Sequence, residues 1–358
     1  MSTDLANFYN RTRTARKIIV VDLGFLGDTV HLVPALWELK RHYPQAELHA
    51  LTTPVGCEVL GLAPCVTRAW AVELLPPKRS LGQQWRIVRA LRREHFEVAF
   101  NFSGADRTLF MTALTGARWR VGYPCGRWHF WNRWLIPLWV PRRSDARPVF
   151  EQRRQVLADC GLELAPARFD LQIPHTVRDW AAAQIPAGAI HFSINASTHL
   201  KEWPLDNWIE LARRLRRERT SLEIVATGSN HPRERERLEE FAGASGISSQ
   251  RFFSGLPVAQ LGALLARCAL HVGGDSGVLH MAMAIGTPTL SLFREYAELE
   301  EWAPRGPQHR RLIVKCPCID QKRADCLERK NPICLAGLTC ETVADAVKDQ
   351  LEAILQRK

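Results

Sequence analysis

The strand-to-helix rhythm of this chain runs twice, and that doubling limits the available folds more than any other feature. KIIVVDLGFLGDTVHLVPALWELKRHYPQAELHALTT opens with a buried-strand run from Ile18 to Leu23. A glycine turn follows, then a helix ending near His42 and a second strand in ELHALTT. Unbroken apolar runs of this kind belong to parallel strands covered on both faces. The alternation continues with a helix over Trp85–Arg93, the strand FEVAFNFS, a helix around Thr108–Leu114 and another in EQRRQVLADCGL. A proline-containing stretch around 164–187 reads as a connector, after which the series restarts with AIHFSINAS, PLDNWIELARRLRRE, LEIVATGS, RERERLEEFAG, SGLPVAQLGALLARC and LHVGGDSG. Two β-α-β series predict an α/β protein of two Rossmann-like domains facing each other across a cleft. The expected domains are 1–170 and 171–340, followed by a C-terminal helix over 341–358 in ETVADAVKDQLEAILQ.

At 358 residues, 46% of them hydrophobic, the chain can bury two ordinary cores. Its formal net charge of +11 suits phosphate-rich partners: nucleotides, nucleic acid or an anionic membrane face. Nucleic-acid modules such as paired finger spacings or basic zippers are missing, so nucleic acid is not the expected partner. The N-terminus lacks the apolar core of a signal peptide, and no apolar run reaches the ~18–20 residues of a membrane helix. The expected compartment is the cytoplasm.

Three stretches could carry chemistry. In LHVGGDSGVLHMAMAIG a strand feeds a glycine turn, and Asp275, Ser276 and Gly277 fall where a helix begins. Free N–H groups and the helix dipole make such a tip an anion site, above all for a pyrophosphate, and His280 lies one turn along. An ordinary capped helix packed through Ala282, Ala284 and Gly286 is the competing reading. In SINASTHLKEWPLDNWIELARRL, Ser197 and Thr198 end a strand and Lys201 precedes a Trp-Pro helix start. A lysine there could stabilise a leaving phosphate, or it could be a solvated surface lysine. In LGFLGDTVHLVPAL, Asp28 follows the glycine turn and opens the first helix, where it would serve as an N-cap. It also lies at the carboxyl edge of the first strand, the usual ligand face of an open α/β sheet, where a carboxylate could act as general base.

These stretches, in this order, resemble the ADP-heptose:lipopolysaccharide heptosyltransferases, glycosyltransferase family nine, with the two-domain GT-B fold. VDLGFLGDTVHLVPAL is similar to the family's N-terminal LGD motif, and FNFSGADRTLFMTALTGARWRVGY to its GA-x-x-R-VGY stretch. STHLKEWPLDNWIELARRL resembles its K-x-W-P motif, and GGDSGVLHMAMAIGTPTLSLF its D-[ST]-G-x-x-H-x-A-A-A signature, with Met283 replacing one alanine. The resemblance implies that the Asp275-Ser276-Gly277 turn and the helix behind it hold the donor diphosphate. It further implies Asp28 as catalytic base, Lys201 on the donor phosphate and His280 as the signature histidine. Leu256 matches an adenine-contacting position, Glu234 a ribose-binding acid, and Ser197 with Ala196 the donor loop. Phe25 inside the LGD loop and Glu202 beside the lysine depart from the pattern and bear on which sugar is used.

The implied reaction is inverting transfer of a heptose from ADP-heptose, as substrate, to a lipopolysaccharide core acceptor, with no cofactor and no metal. Helix dipole and lysine supply the charge a metal would bring. Arg107 and Arg120 are candidate contacts to a phosphorylated acceptor. Another nucleotide sugar is the first alternative, and a non-catalytic nucleotide or nucleic-acid binder is the alternative from a different class.

Two features stand apart. Ten cysteines are present, and Cys316, Cys318, Cys326 and Cys334 lie within 19 residues. Four thiolates suit zinc or iron, but C-x-C followed by seven-residue gaps is not a zinc-ribbon spacing, and reduced or redox-labile thiols rank ahead of a metal site. RWHFWNRWLIPLWV, holding Trp128, Trp131 and Trp134, has the composition of an interfacial anchor or of a partly buried loop. An anchor would place the protein at the cytoplasmic face of the inner membrane, near a lipid-linked acceptor.

Overall fold

The computed structural model describes residues 3–73, 81–123, 129–141, 147–296, 298–316 and 333–357. They form two compact units, Met1–Gln172 and Ile173–Lys358.

The first unit holds a six-stranded sheet in the order β3-β2-β1-β4-β5-β6. Its strands are β1 (Lys17–Val21), β2 (Glu47–Thr52), β3 (Arg68–Ala71), β4 (Val98–Asn101), β5 (Trp119–Gly122) and β6 (Leu138–Trp139). Every pairing is parallel. The central strands are apolar because both faces are covered: Ile18 to Val21 and all of β4 are buried. Strand order reverses between β1 and β4, where Val21 stands opposite Asn101. Crossovers leave in opposite directions on the two sides of such a point, so the chain opens a crevice at the carboxyl ends of those strands.

The second unit repeats the plan in the order β12-β11-β10-β7-β8-β9. Its strands are β7 (Ile190–Ser193), β8 (Ile224–Gly228), β9 (Phe252–Ser254), β10 (Leu270–Gly274), β11 (Thr289–Arg294) and β12 (His309–Val314), again all parallel. Here the order reverses between β7 and β10, with Ser193 opposite Gly273. The helix Leu205–Glu218 buries Trp208, Leu211, Ala212 and Leu215, one apolar stripe of its repeat. The helix Cys340–Leu355 sends Val343, Ala344, Val347 and Leu351 into the same core. It is part of the second unit's core rather than an appendage to it.

Two stretches carry more structure than their sequence suggested. The connector around 164–187 contains the helix His175–Gln184, flanked by Pro174 at its N-cap. Pro174 introduces that helix, since proline is tolerated at a helix start. The tryptophan segment is not a plain interruption: Asn132–Leu135 is helical and Leu138–Trp139 adds the edge strand β6.

Candidate functional site

In the first unit the chain leaves β1 through Asp22, Leu23 and Gly24 into the helix Leu26–His42. The N-cap is Phe25, so Asp28 is the third helical residue rather than the cap itself. Its Oδ2 accepts the Phe25 N–H at 2.9 Å, closing the turn back on itself. A Cβ on Gly24 would lie 2.2 Å from Asp28 Cβ, so only glycine lets the turn pass this close. Asp22 is buried; its Oδ1 accepts the Gly24 N–H at 2.9 Å, and its Oδ2 lies 2.7 Å from Arg153 Nη2. That second oxygen has no aligned hydrogen bond and is held by charge. Burial pushes the Asp22 carboxyl up from its usual range, against the pull of Arg153, and the Asp28 charge adds to the rise. Arg153, on the helix Val149–Asp159, also donates through Nη1 to the Asp28 carbonyl, and its Nη2 lies 3.8 Å from Asp28 Oδ1.

At the end of the neighbouring strand β4, Asn101 Oδ1 accepts the Gly104 N–H at 2.7 Å and Asn101 Nδ2 donates to Thr112 Oγ1 at 2.8 Å. Arg107, exposed on the helix Asp106–Leu114, donates to the Glu73 carbonyl at 3.2 Å. Arg120 gives Nε to the Leu135 carbonyl and Nη1 to the Ala117 carbonyl, both at 2.7 Å, and Nη2 to that of Trp134 at 3.4 Å. Its guanidinium thereby fastens β5 to the tryptophan segment, and burial lowers its pKa.

In the second unit, Ser276 is the N-cap of the helix Gly277–Ile285, and its hydroxyl accepts the Leu279 N–H at 3.4 Å. A Cβ on Gly274 would lie 2.7 Å from the Lys201 carbonyl oxygen, which is why β10 must end in glycine for the lysine-bearing turn His199–Lys201 to lie against it. Lys201 Nζ stands 2.6 Å from Asp275 Oδ2, the Tyr296 hydroxyl donates to the same oxygen at 3.0 Å, and His280 Nε2 lies 3.8 Å from Oδ1. Burial opposes ionisation of Asp275, yet His280 and Lys201 hold its carboxyl well below the usual range. Burial raises the Tyr296 phenol, and the Asp275 charge raises it further, so it stays protonated and donates.

The acid beside the lysine has its own task. Glu202 Oε1 accepts the Ala196 N–H at 3.0 Å, and both Glu202 oxygens take Arg233 Nη1, at 2.7 and 2.8 Å. Arg233 Nη2 returns to the Ala196 carbonyl at 2.7 Å, and Arg237 Nη2 donates to that of Trp203 at 2.6 Å. The loop presenting Ser197, which is exposed, is therefore stiffened from beneath. Trp203 is buried and donates Nε1 to the Leu338 carbonyl at 2.8 Å. Glu234 caps the turn after β8, its Oε2 accepting the Ser229 N–H at 3.0 Å, and Leu256 packs half-buried against an apolar cluster with Val225 and Leu264.

Asp28 thus sits at the β1–β4 reversal, and Lys201, Asp275, Ser276, Gly277 and His280 gather at the β7–β10 reversal. Sequence reasoning missed Asp22, Arg153, Arg233 and Tyr296. Tyr296 lies two residues past the end of β11 and Arg153 lies 125 residues from Asp28, so neither carries a local sequence signal that points to the site.

Of the four clustered cysteines, Cys316 and Cys334 are buried in the core of the second unit, while Cys318 and Cys326, like Trp128, lie outside the described residues. Among the described residues one group has metal-ligand spacing: Glu47, His49 and Glu94. Lys17 Nζ already sits between its carboxylates, 2.8 Å from Glu94 and 3.5 Å from Glu47, and Trp70 donates to His49 Nδ1 at 3.2 Å. An ammonium supplies the cation there.

The family model described as glycosyltransferase family 9 (heptosyltransferase) matches residues 84–331, more than half of the chain. The chain belongs to that family. This family 9 protein is 24% identical to lipopolysaccharide heptosyltransferase 1 of Pseudomonas aeruginosa over 95% of its own length and 98% of the relative's. The structure of ADP-heptose lps heptosyltransferase II of E. coli aligns with a TM-score of 0.75 at 19% identity, over 94% of this chain and 99% of that one. E. coli heptosyltransferase WaaC, solved with ADP, aligns with a TM-score of 0.71 at 15% identity, over 93% and 99% of the two chains. These alignments span both sheets and establish the GT-B fold.

Proposed function

We propose that this family 9 glycosyltransferase moves a heptose from ADP-heptose to a lipopolysaccharide core acceptor, with inversion and without a metal. The observation that carries the reading is the second strand-order reversal, where Lys201, the N-terminus of Gly277–Ile285 and the Ser276 cap converge. A nucleoside diphosphate is the ligand such a convergence suits. The relative named lipopolysaccharide heptosyltransferase 1 and the structure of WaaC with ADP support this choice of substrates.

In this mechanism Asp28 takes the proton of an acceptor hydroxyl as its oxygen bonds to the anomeric carbon. The bond from that carbon to the diphosphate oxygen breaks on the opposite face and ADP leaves. Lys201 and the helix N-terminus meet the charge that develops on it. Asp275 belongs to the donor site through the groups it orients: Lys201, Tyr296 and His280. Ser197, Leu256 and Glu234 complete the donor site, and Arg107 and Arg120 belong to the acceptor side.

The protein works beside a membrane. Among the described residues no helix is long and apolar enough to cross one. Phe130 and Trp134 are 78% and 80% exposed next to exposed Arg133, a pairing that suits an anionic leaflet on the cytoplasmic face. Trp131 does not share that exposure; it stacks on His129 at 4.4 Å.

The deciding test is heptose transfer in vitro from ADP-heptose to a delipidated core oligosaccharide, read by mass spectrometry beside a panel of other nucleotide sugars. A heptose-sized mass gain with ADP-heptose is expected. Gain with a different donor would replace the sugar, and no gain with any donor would leave a binding protein.

A further inference from the structure

Asp28 is not the only carboxylate at its turn. Asp22 lies six residues earlier, and a single guanidinium serves both. The charged groups facing Asp28 are Arg153, from the helix Val149–Asp159, and Asp22, from the end of β1. The arrangement is asymmetric: Arg153 Nη2 is 2.7 Å from Asp22 and 3.8 Å from Asp28, while Nη1 of the same group holds the Asp28 main chain. The Arg153 and Asp22 side chains are 9% and 3% exposed, against 30% for Asp28. Solvent therefore screens the pair little, while Asp28 remains open to a substrate.

We propose that Arg153 is the positioning residue of the candidate base, and that buried Asp22 sets how much of its positive charge Asp28 feels. A cation close to a carboxylate keeps it ionised, which a base requires, but too strong a pull would weaken it as a proton acceptor. Asp22 stands 2.7 Å from that guanidinium and Asp28 3.8 Å, so Asp22 takes the nearer share of its charge. The Nη1 bond to the Asp28 carbonyl adds a mechanical tether. The inference rests on Asp28 acting as the base.

The experiment compares Asp22→Asn, which leaves the buried Arg153 without its nearest partner and should lose stability, with a double variant that removes both charges. In Asp22→Asn the whole Arg153 charge falls on Asp28, and the acidic limb of the kcat–pH profile should move down. Adding Arg153→Gln to that background leaves a neutral pair, and the limb should move back up by about one pH unit. Arg153→Lys, which keeps a charge but not the fork, should lower kcat more than it moves the limb. The same shifts should be read without catalysis as the midpoint of the Asp28 carboxyl carbon titration by NMR. A residue that merely supports the fold would change Tm and leave both midpoints alike in the two variants, and that result would overturn the proposal. Wild-type turnover in Asp28→Asn would instead remove the base assignment, while the NMR midpoints would still report on Arg153.

Discussion

Tyr296 donates its hydroxyl hydrogen to the same oxygen of Asp275 that Lys201 approaches at 2.6 Å. One carboxylate thus aims a cation and a hydroxyl at the mouth of a helix. Loss of Lys201 removes a charge from the anion site, so Lys201→Ala should weaken ADP binding by at least about tenfold. Asp275→Asn should cost less, because losing the anchor is partly offset by losing a negative charge beside the diphosphate. Isothermal calorimetry with ADP alone reads both, and unchanged affinity in the two variants would put the donor elsewhere.

Asp28→Ala should abolish transfer through kcat, by about 10²–10⁴-fold, while leaving ADP affinity nearly unchanged. Steady-state kinetics with the delipidated acceptor make the comparison, and near-wild-type turnover excludes Asp28 as the base.

The second unit should be acid-labile. His191 Nδ1 and His271 Nδ1 are 2.9 Å apart on adjacent central strands, and His191 Nε2 pairs with Thr227 at 3.0 Å. Burial pushes His191 down to about 3; burial and then the neighbouring His191 push His271 well below its usual value. Unfolding releases both to roughly 6.5, so their contribution is complete above that pH and is lost as pH falls toward the folded values. At pH 5 the loss should be on the order of 2 kcal/mol per histidine. Urea unfolding at pH 7.5 and 5.0 measures it, and equal midpoints would contradict the neutral buried pair.

Replacing Phe130 and Trp134 by Ala should lower binding to anionic phosphatidylglycerol vesicles, with the remainder released by salt. Transfer to the delipidated acceptor should hardly change. Cosedimentation equal to wild type would show that these rings face something other than lipid. Trp131→Ala should instead lower Tm, since that ring is stacked rather than presented.

Periodicity was enough to place β1, β2, β7 and β10, because buried parallel strands are apolar without interruption. It did not reach β12, whose HRRLIV mixes arginines with an edge strand's lower burial. The motif residues Lys201, Asp275 and Ser276 were legible because strand-end turns keep them close in the chain or at matching strand ends. Arg153, Arg233 and Tyr296 were not: their roles depend on which strand ends become neighbours, and strand order is a property of the folded sheet. Glu202 was visible only as an oddity beside a lysine until its two oxygens were seen to hold Arg233 and the Ala196 N–H.

The indole of Trp203, two residues past Lys201, is held by the Leu338 carbonyl, and the helix that follows Leu338 packs on Leu205–Glu218 within one core. The turn that carries Lys201 is therefore finished by residues synthesised more than a hundred positions later. A chain ending short of that helix would carry Lys201, Asp275 and Ser276 and yet lack the backing beneath the turn of Lys201. The C-terminal helix is therefore as much a part of that turn's support as the strands before it.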